Sequence, residues 1–184
     1  SMSASAQIAG NGNASAGRDA NVDNSTTTVN LNVYGAECFD LEKHPQLLEK
    51  IVNRAVHAIR GKQPREYIQG RILEDSIHEF ARVPENRTLV GYDSHTNQVG
   101  VHVAKGVWDH KEADVVASEY ADRLTAATHK ADPRLRQGAL NADEKKEWIR
   151  TQGSPAVRGV AQMNALDASE GKSDKPDVVG LRVR

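Results

Sequence analysis

Thr88-Leu-Val-Gly-Tyr-Asp-Ser-His-Thr-Asn-Gln-Val-Gly-Val-His-Val103 sets the architecture. Two short runs rich in β-branched and aromatic residues, 88–92 and 99–103, flank Ser94-His-Thr-Asn97, a set of turn-forming side chains, and together predict a β-hairpin. In the second run His102 alternates with Val101 and Val103 and is expected to face outward. Val107-Trp108, after Gly106, either extends that run or begins a third strand.

Helices are expected on both sides of the hairpin. Apolar residues at 47, 48, 51, 52, 55, 56 and 59 follow helical spacing, with Pro45 suited to a first turn and Gly61 to a stop. A second helix is read over 69–80, burying Ile72, Leu73, Ile77 and Phe80 and ending before Pro84. A third is read over 111–128, with Val115, Val116, Tyr120 and Leu124 on one side and Asp109 as its cap. The order is ααββα, an α+β domain over 36–130. Beyond it, 131–184 is read as a short helix at about 142–150, opened by Asn141-Ala-Asp-Glu144, with a flexible tail after Gly153.

Residues 1–35 differ in kind. They contain no Lys, Glu, Pro or Phe and are rich in Ala, Asn, Ser, Thr and Gly. Val29, Leu31 and Val33 alternate with Asn30, Asn32 and Tyr34, the period of a strand, and Val22 lies upstream among turn residues. One strand cannot shield its own aliphatics, and each is worth ~1.5–3 kcal/mol only when fully buried. The reading is an oligomerising β segment with Val22, Val29, Leu31 and Val33 at the interface, three-fold first and two-fold second. The protein's expected partner is therefore itself.

Composition excludes several classes. Of 184 residues, 24 are Lys or Arg and 25 Asp or Glu, a net charge of -1 that argues against a wholly basic nucleic-acid binder. A lone Cys38 rules out a disulfide framework and a cysteine-based zinc site. No apolar run is long enough for a membrane span, and the start carries no secretory pattern, so no membrane partner and no secretion are expected. Neither a phosphate-binding glycine loop nor a nucleophile elbow occurs, so no cofactor and no catalytic residue is assigned.

Three constellations remain. Residues 43–71 hold seven basic side chains against Glu49 and Glu66, a local net of +5. Lys50, Arg54, Arg60, Lys62 and Arg65 could contact phosphates, the more so if repeated around an oligomer. His78 with Glu85 could hold a metal or act as an acid–base pair in a hydrolase. The plainer reading makes Pro84-Glu85-Asn86 a turn in which Asn86 bonds nearby backbone while His78 tethers it to the helix end. Nothing in the spacing of His95, His102 and His110 makes them converge, so no metal site is assigned.

The order of features resembles a group of uncharacterised proteins encoded by large DNA viruses and some phages. The residues that carry the resemblance are the Asn/Thr-rich run into Val33-Tyr34-Gly35, the apolar helix, Ile77-His-Glu-Phe-Ala-Arg-Val-Pro-Glu-Asn86 and a β piece bearing Trp108. That group carries His-Phe-Asn-Pro-x-x-Pro-Glu-Asn. Here Phe80 stands two residues after His78 and Ala81-Arg82 replaces the Asn-Pro step, so His78, Pro84, Glu85, Asn86 and Trp108 match. The zinc finger that often precedes the Asn-rich stretch in that group has no counterpart. The resemblance implies an architecture and a viral setting, in the virion or in the host cytoplasm or nucleus, and no chemistry.

Overall fold

Two helices, a three-stranded sheet and three further helices follow one another in the computed structural model, which describes residues 29–169. Helix α1, Pro45–Arg60, starts on its proline and buries Ile51, Val52, Ala55 and Ala58 against α2, Arg65–Phe80. Helix α2 begins at Arg65, a turn earlier than its apolar residues suggest, and buries Ile68, Ile72, Leu73, Ile77 and Phe80.

Strands β1, Leu89–Asp93, β2, Gln98–Ala104, and β3, Val107–Glu112, form an antiparallel sheet in that order. The hairpin turn closes through Asn97 at φ 54°, a conformation Asn tolerates. Helix α3, Ala113–Ala131, starts directly after β3. Residues 109–111 are therefore strand, and the helix cap is Glu112 rather than Asp109. The side of α3 that enters the core carries Ala113, Val116, Ala117, Tyr120, Ala121 and Leu124, whereas Val115 is 38% exposed.

The larger departure lies at the C-terminal end. Helix α4, Ala142–Trp148, opens with a reciprocal capping box between Asn141 and Glu144. It passes through a π turn, Ile149–Gly153, into α5, Ser154–Ser169. Where a tail is expected after Gly153, a sixteen-residue helix packs along β1. Ala156, Val157, Val160, Ala161, Ala165 and Ala168 are all buried, a helical stripe made of small side chains. Pro155, which has no N–H to give to a regular helical ladder, is the second residue of α5 and directly follows the π turn, where that ladder is already interrupted. The order is thus ααβββααα, and the domain extends past residue 130 to take in α5. One core joins α1 and α2 to α3, α5 and the inner face of the sheet, with Phe39 and Leu41 at its edge.

Candidate functional site

Four of the polar side chains that the fold buries, Glu37, Asn86, Thr88 and His102, gather where the segment before α1 meets the sheet. Asn32 donates its N–H to the Glu85 carbonyl at 2.8 Å, and Tyr34 donates its own to the His102 carbonyl at 2.7 Å. The Asn32 carbonyl lies 2.8 Å from His102 Nδ1, and its side-chain amide donates to Asn86 Oδ1 at 3.0 Å. Residues 29–33 are not a regular strand, although the amides of Asn32 and Tyr34 are bonded to their own domain.

Asn86 is 1% exposed and fully used. Its Oδ1 also accepts from Cys38 N–H at 3.0 Å, while Nδ2 donates to the carbonyls of Cys38 at 2.8 Å and Phe80 at 3.3 Å. His102 is buried rather than outward-facing, because Asn32 holds one side of the ring and the tilted Trp108 ring packs against it with centroids 5.0 Å apart.

Glu37 lies beneath this arm, its side chain fully buried against Arg123. Oε1 accepts from Gly35 N–H at 2.8 Å and Arg123 at 2.5 Å; Oε2 accepts from Thr88 and Tyr120 hydroxyls, both at 2.6 Å. Arg123 also donates to the Glu37 carbonyl at 2.8 Å. Four donors saturate the carboxylate, which leaves it no lone pair for a substrate. Burial, and then the Glu37 charge, hold the Tyr120 phenol well above the usual tyrosine range. Burial and the hydrogen bond to Glu119 do the same for Tyr34, which stacks on Tyr120 at 5.7 Å. The arrangement clamps the arm to the domain. Glu37, Thr88, Tyr120 and Arg123 are invisible to motif reading, since their spacing spans 86 residues and follows no period.

Of the expected interface residues, Val29 and Leu31 are half-buried, Val33 is 38% exposed and Val22 lies outside the described residues. The basic set is divided. Lys50 pairs with Glu79 at 3.6 Å, Arg54 with Asp75 and Glu79 at 3.6 and 3.5 Å, and Arg65 with Glu144 at 2.5 Å. Arg60 and Lys62 are exposed and have no acidic partner within ion-pair distance among the described residues. Beside them Asn53, Arg54, His57, Gln63, Tyr67 and Arg71 line a groove of about 380 Å³ between α1 and α2. Burial raises the Asp75 carboxyl above the usual range, opposed by Arg71 and Arg54.

His78 and Glu85 are not brought together as a pair: His78 lies 3.9 Å from Glu74, one turn back, while Glu85 is exposed and lends its backbone carbonyl to Asn32. His78 accordingly does not tether the Pro84 turn. His95 and His110 are exposed and His102 is enclosed, and among the described residues no three His, Cys, Asp or Glu side chains are placed to share a metal. No described helix is long and apolar enough to cross a membrane. Comparison with protein-family models, curated proteins and solved structures finds no match to this chain.

Proposed function

We propose that this chain is a self-associating, non-enzymatic structural or interaction protein of viral or phage type, in which the arm that precedes α1 meets sister copies. The observation that carries the reading is the one-sided anchoring of the arm. Asn32 and Tyr34 turn their amides toward the domain. In an extended segment the intervening residues turn theirs the other way; the Val33 carbonyl is taken by the Ala36 N–H at 3.0 Å, so Leu31 and the Val33 N–H are what the arm offers as an edge that no described residue occupies. Val33 is 38% exposed, and Val103 and Val107, at the β2–β3 end where Tyr34 bonds, are 43% and 51% exposed. Three part-exposed valines beside the arm's point of entry are an apolar rim that association would cover.

Light scattering on the intact chain tests this. The expected mass is a multiple of 20.1 kDa, lowered by Leu31→Asp without loss of the folded domain. An intact chain that stays monomeric over the accessible concentration range overturns the reading.

A second reading is supported by the α1–α2 groove, where an exposed Tyr67 beside Arg71 could stack a base while Arg60 and Lys62 meet phosphates. Its test is a gel shift with random single- and double-stranded nucleic acid at low salt. Arg60→Glu with Lys62→Glu should remove any shift, whereas Lys50→Glu should matter less because Glu79 already holds Lys50. No shift at low salt ends it.

A further inference from the structure

The two edges of the sheet are treated differently. Along β1 the outer edge is covered by α5, and Asn164 Nδ2 donates to the Leu89 carbonyl at 2.9 Å. Along β3 no described element pairs with the outer edge. His102 gives its N–H to Thr88 and its carbonyl to Tyr34, both on the β1 side, so Val101 faces β3. Its partner Asp109 and, two residues on, Lys111 therefore turn their backbone groups inward, and Trp108, His110 and Glu112 turn theirs outward. Among the described residues, the His110 N–H is met by its neighbour's carboxylate, Asp109 Oδ1, at 2.8 Å. Exposed edges are commonly blunted with charge. Here the charges run Asp109-His110-Lys111, a sequence that is complementary to itself when reversed.

We propose that β3 pairs antiparallel with β3 of a second copy about a two-fold axis at His110, joining the two sheets into one. The outward residues must oppose one another, which limits the register to few choices. Placing Asp109 or Lys111 on the axis would set like charges face to face. Placing His110 there sets Asp109 of each copy opposite Lys111 of the other, twice, with Trp108 opposite Glu112. Lys111 already lies 3.4 Å from Glu119 and remains 35% exposed, so its ammonium can take a second carboxylate. The same register carries Val107, 51% exposed, toward the other copy's α3 start, where Val115 is 38% exposed. This contact uses none of the arm and adds a two-fold to whatever order the arm sets.

The experiment uses the full chain with Cys38→Ser. In this register the two 110 positions form a hydrogen-bonded pair with Cα atoms roughly 5.5 Å apart, inside the disulfide window of roughly 4.4–6.8 Å. The two 109 positions are diagonal, roughly 7–8 Å apart. Under mild oxidation His110→Cys should give a covalent pair of chains, and Asp109→Cys far less. In a parallel arm, Asp109→Lys alone and Lys111→Asp alone should each halve the mass seen by light scattering. A one-to-one mixture should restore it, because an all-lysine edge then meets an all-aspartate edge.

Cross-linking of the His110→Cys chain that persists when Leu31→Asp is added supports the edge contact even where arm association fails. An associating chain in which the His110→Cys variant links no faster than the Asp109→Cys variant overturns the edge contact and leaves the arm reading standing. A chain that is monomeric throughout removes both.

Discussion

The side-chain amide of Asn86 holds the backbone of Cys38 at both of its polar groups, accepting from the N–H at 3.0 Å and donating to the C=O at 2.8 Å. It does for the arm what a neighbouring strand would do, from a side chain 48 residues away. Because Asn86 is buried, removing that amide strands the Cys38 groups without water.

Asn86→Ala is therefore expected to lose about 2–3 kcal/mol in urea melts, since more than one buried partner is orphaned. The arm should loosen first. Limited proteolysis between residues 29 and 40 should accelerate in this variant while sites within α2 stay protected. Equal acceleration at both would show that the arm and the core unfold as one unit.

Stability should decline on the alkaline side, and the sign follows from the tyrosines. Tyr34 and Tyr120 have folded-state pKa values raised above the ordinary value, by burial first and by the acidic neighbours next. A raised folded value contributes stability that is complete below the unfolded pKa, roughly 10, and is lost as pH rises beyond it. Tyr120→Phe should cost about 1 kcal/mol near neutral pH through its hydrogen bond to Glu37. The gap to the parent should then shrink or reverse above about pH 10, in denaturant melts run across that range.

The indole of Trp148 lies between two glycines. A β-carbon at Gly70 would meet it at 2.9 Å and one at Gly153 at 2.6 Å, and its Nε1 donates to the Gly70 carbonyl at 2.9 Å, so the ring cannot slide away freely. Gly153→Ala is expected to destabilise by about 1–3 kcal/mol through overpacking. Trp148→Leu should be costly alone, yet the double variant should lose less than the sum, which thermal melts of the four proteins would measure.

At the start of α4, the Asn141 side chain accepts from the Glu144 N–H and the Glu144 carboxylate accepts from the Asn141 N–H. The latter bond, then Arg65, holds the Glu144 carboxyl below the usual range. A depressed folded value contributes stability above the unfolded pKa that is lost as pH falls through the folded one. Parent and Glu144→Gln should therefore differ at neutral pH and converge under acid. Asn141→Ala should cost about 1 kcal/mol with little pH dependence of its own.

Neighbouring residues alone specify the local grammar of this chain. The 3.6-residue stripe of α1, the alternation about Ser94–Asn97 and the capping box at Asn141 are written over a few positions, where side-chain period and turn chemistry act. Helix α5 was hidden because four alanines, two valines and one buried asparagine make a weak apolar signal until β1 is laid against them. The hydrogen-bonding of Asn86 was legible as a turn, while its hold on Asn32 and Cys38 was not. It took the packed molecule to turn Lys50 and Arg54 toward α2 carboxylates, to enclose His102 between Asn32 and Trp108, and to gather Glu37, Thr88, Tyr120 and Arg123 into one saturated cluster. Burial requires polar partners wherever the fold can supply them, and sequence distance places no limit on where they come from.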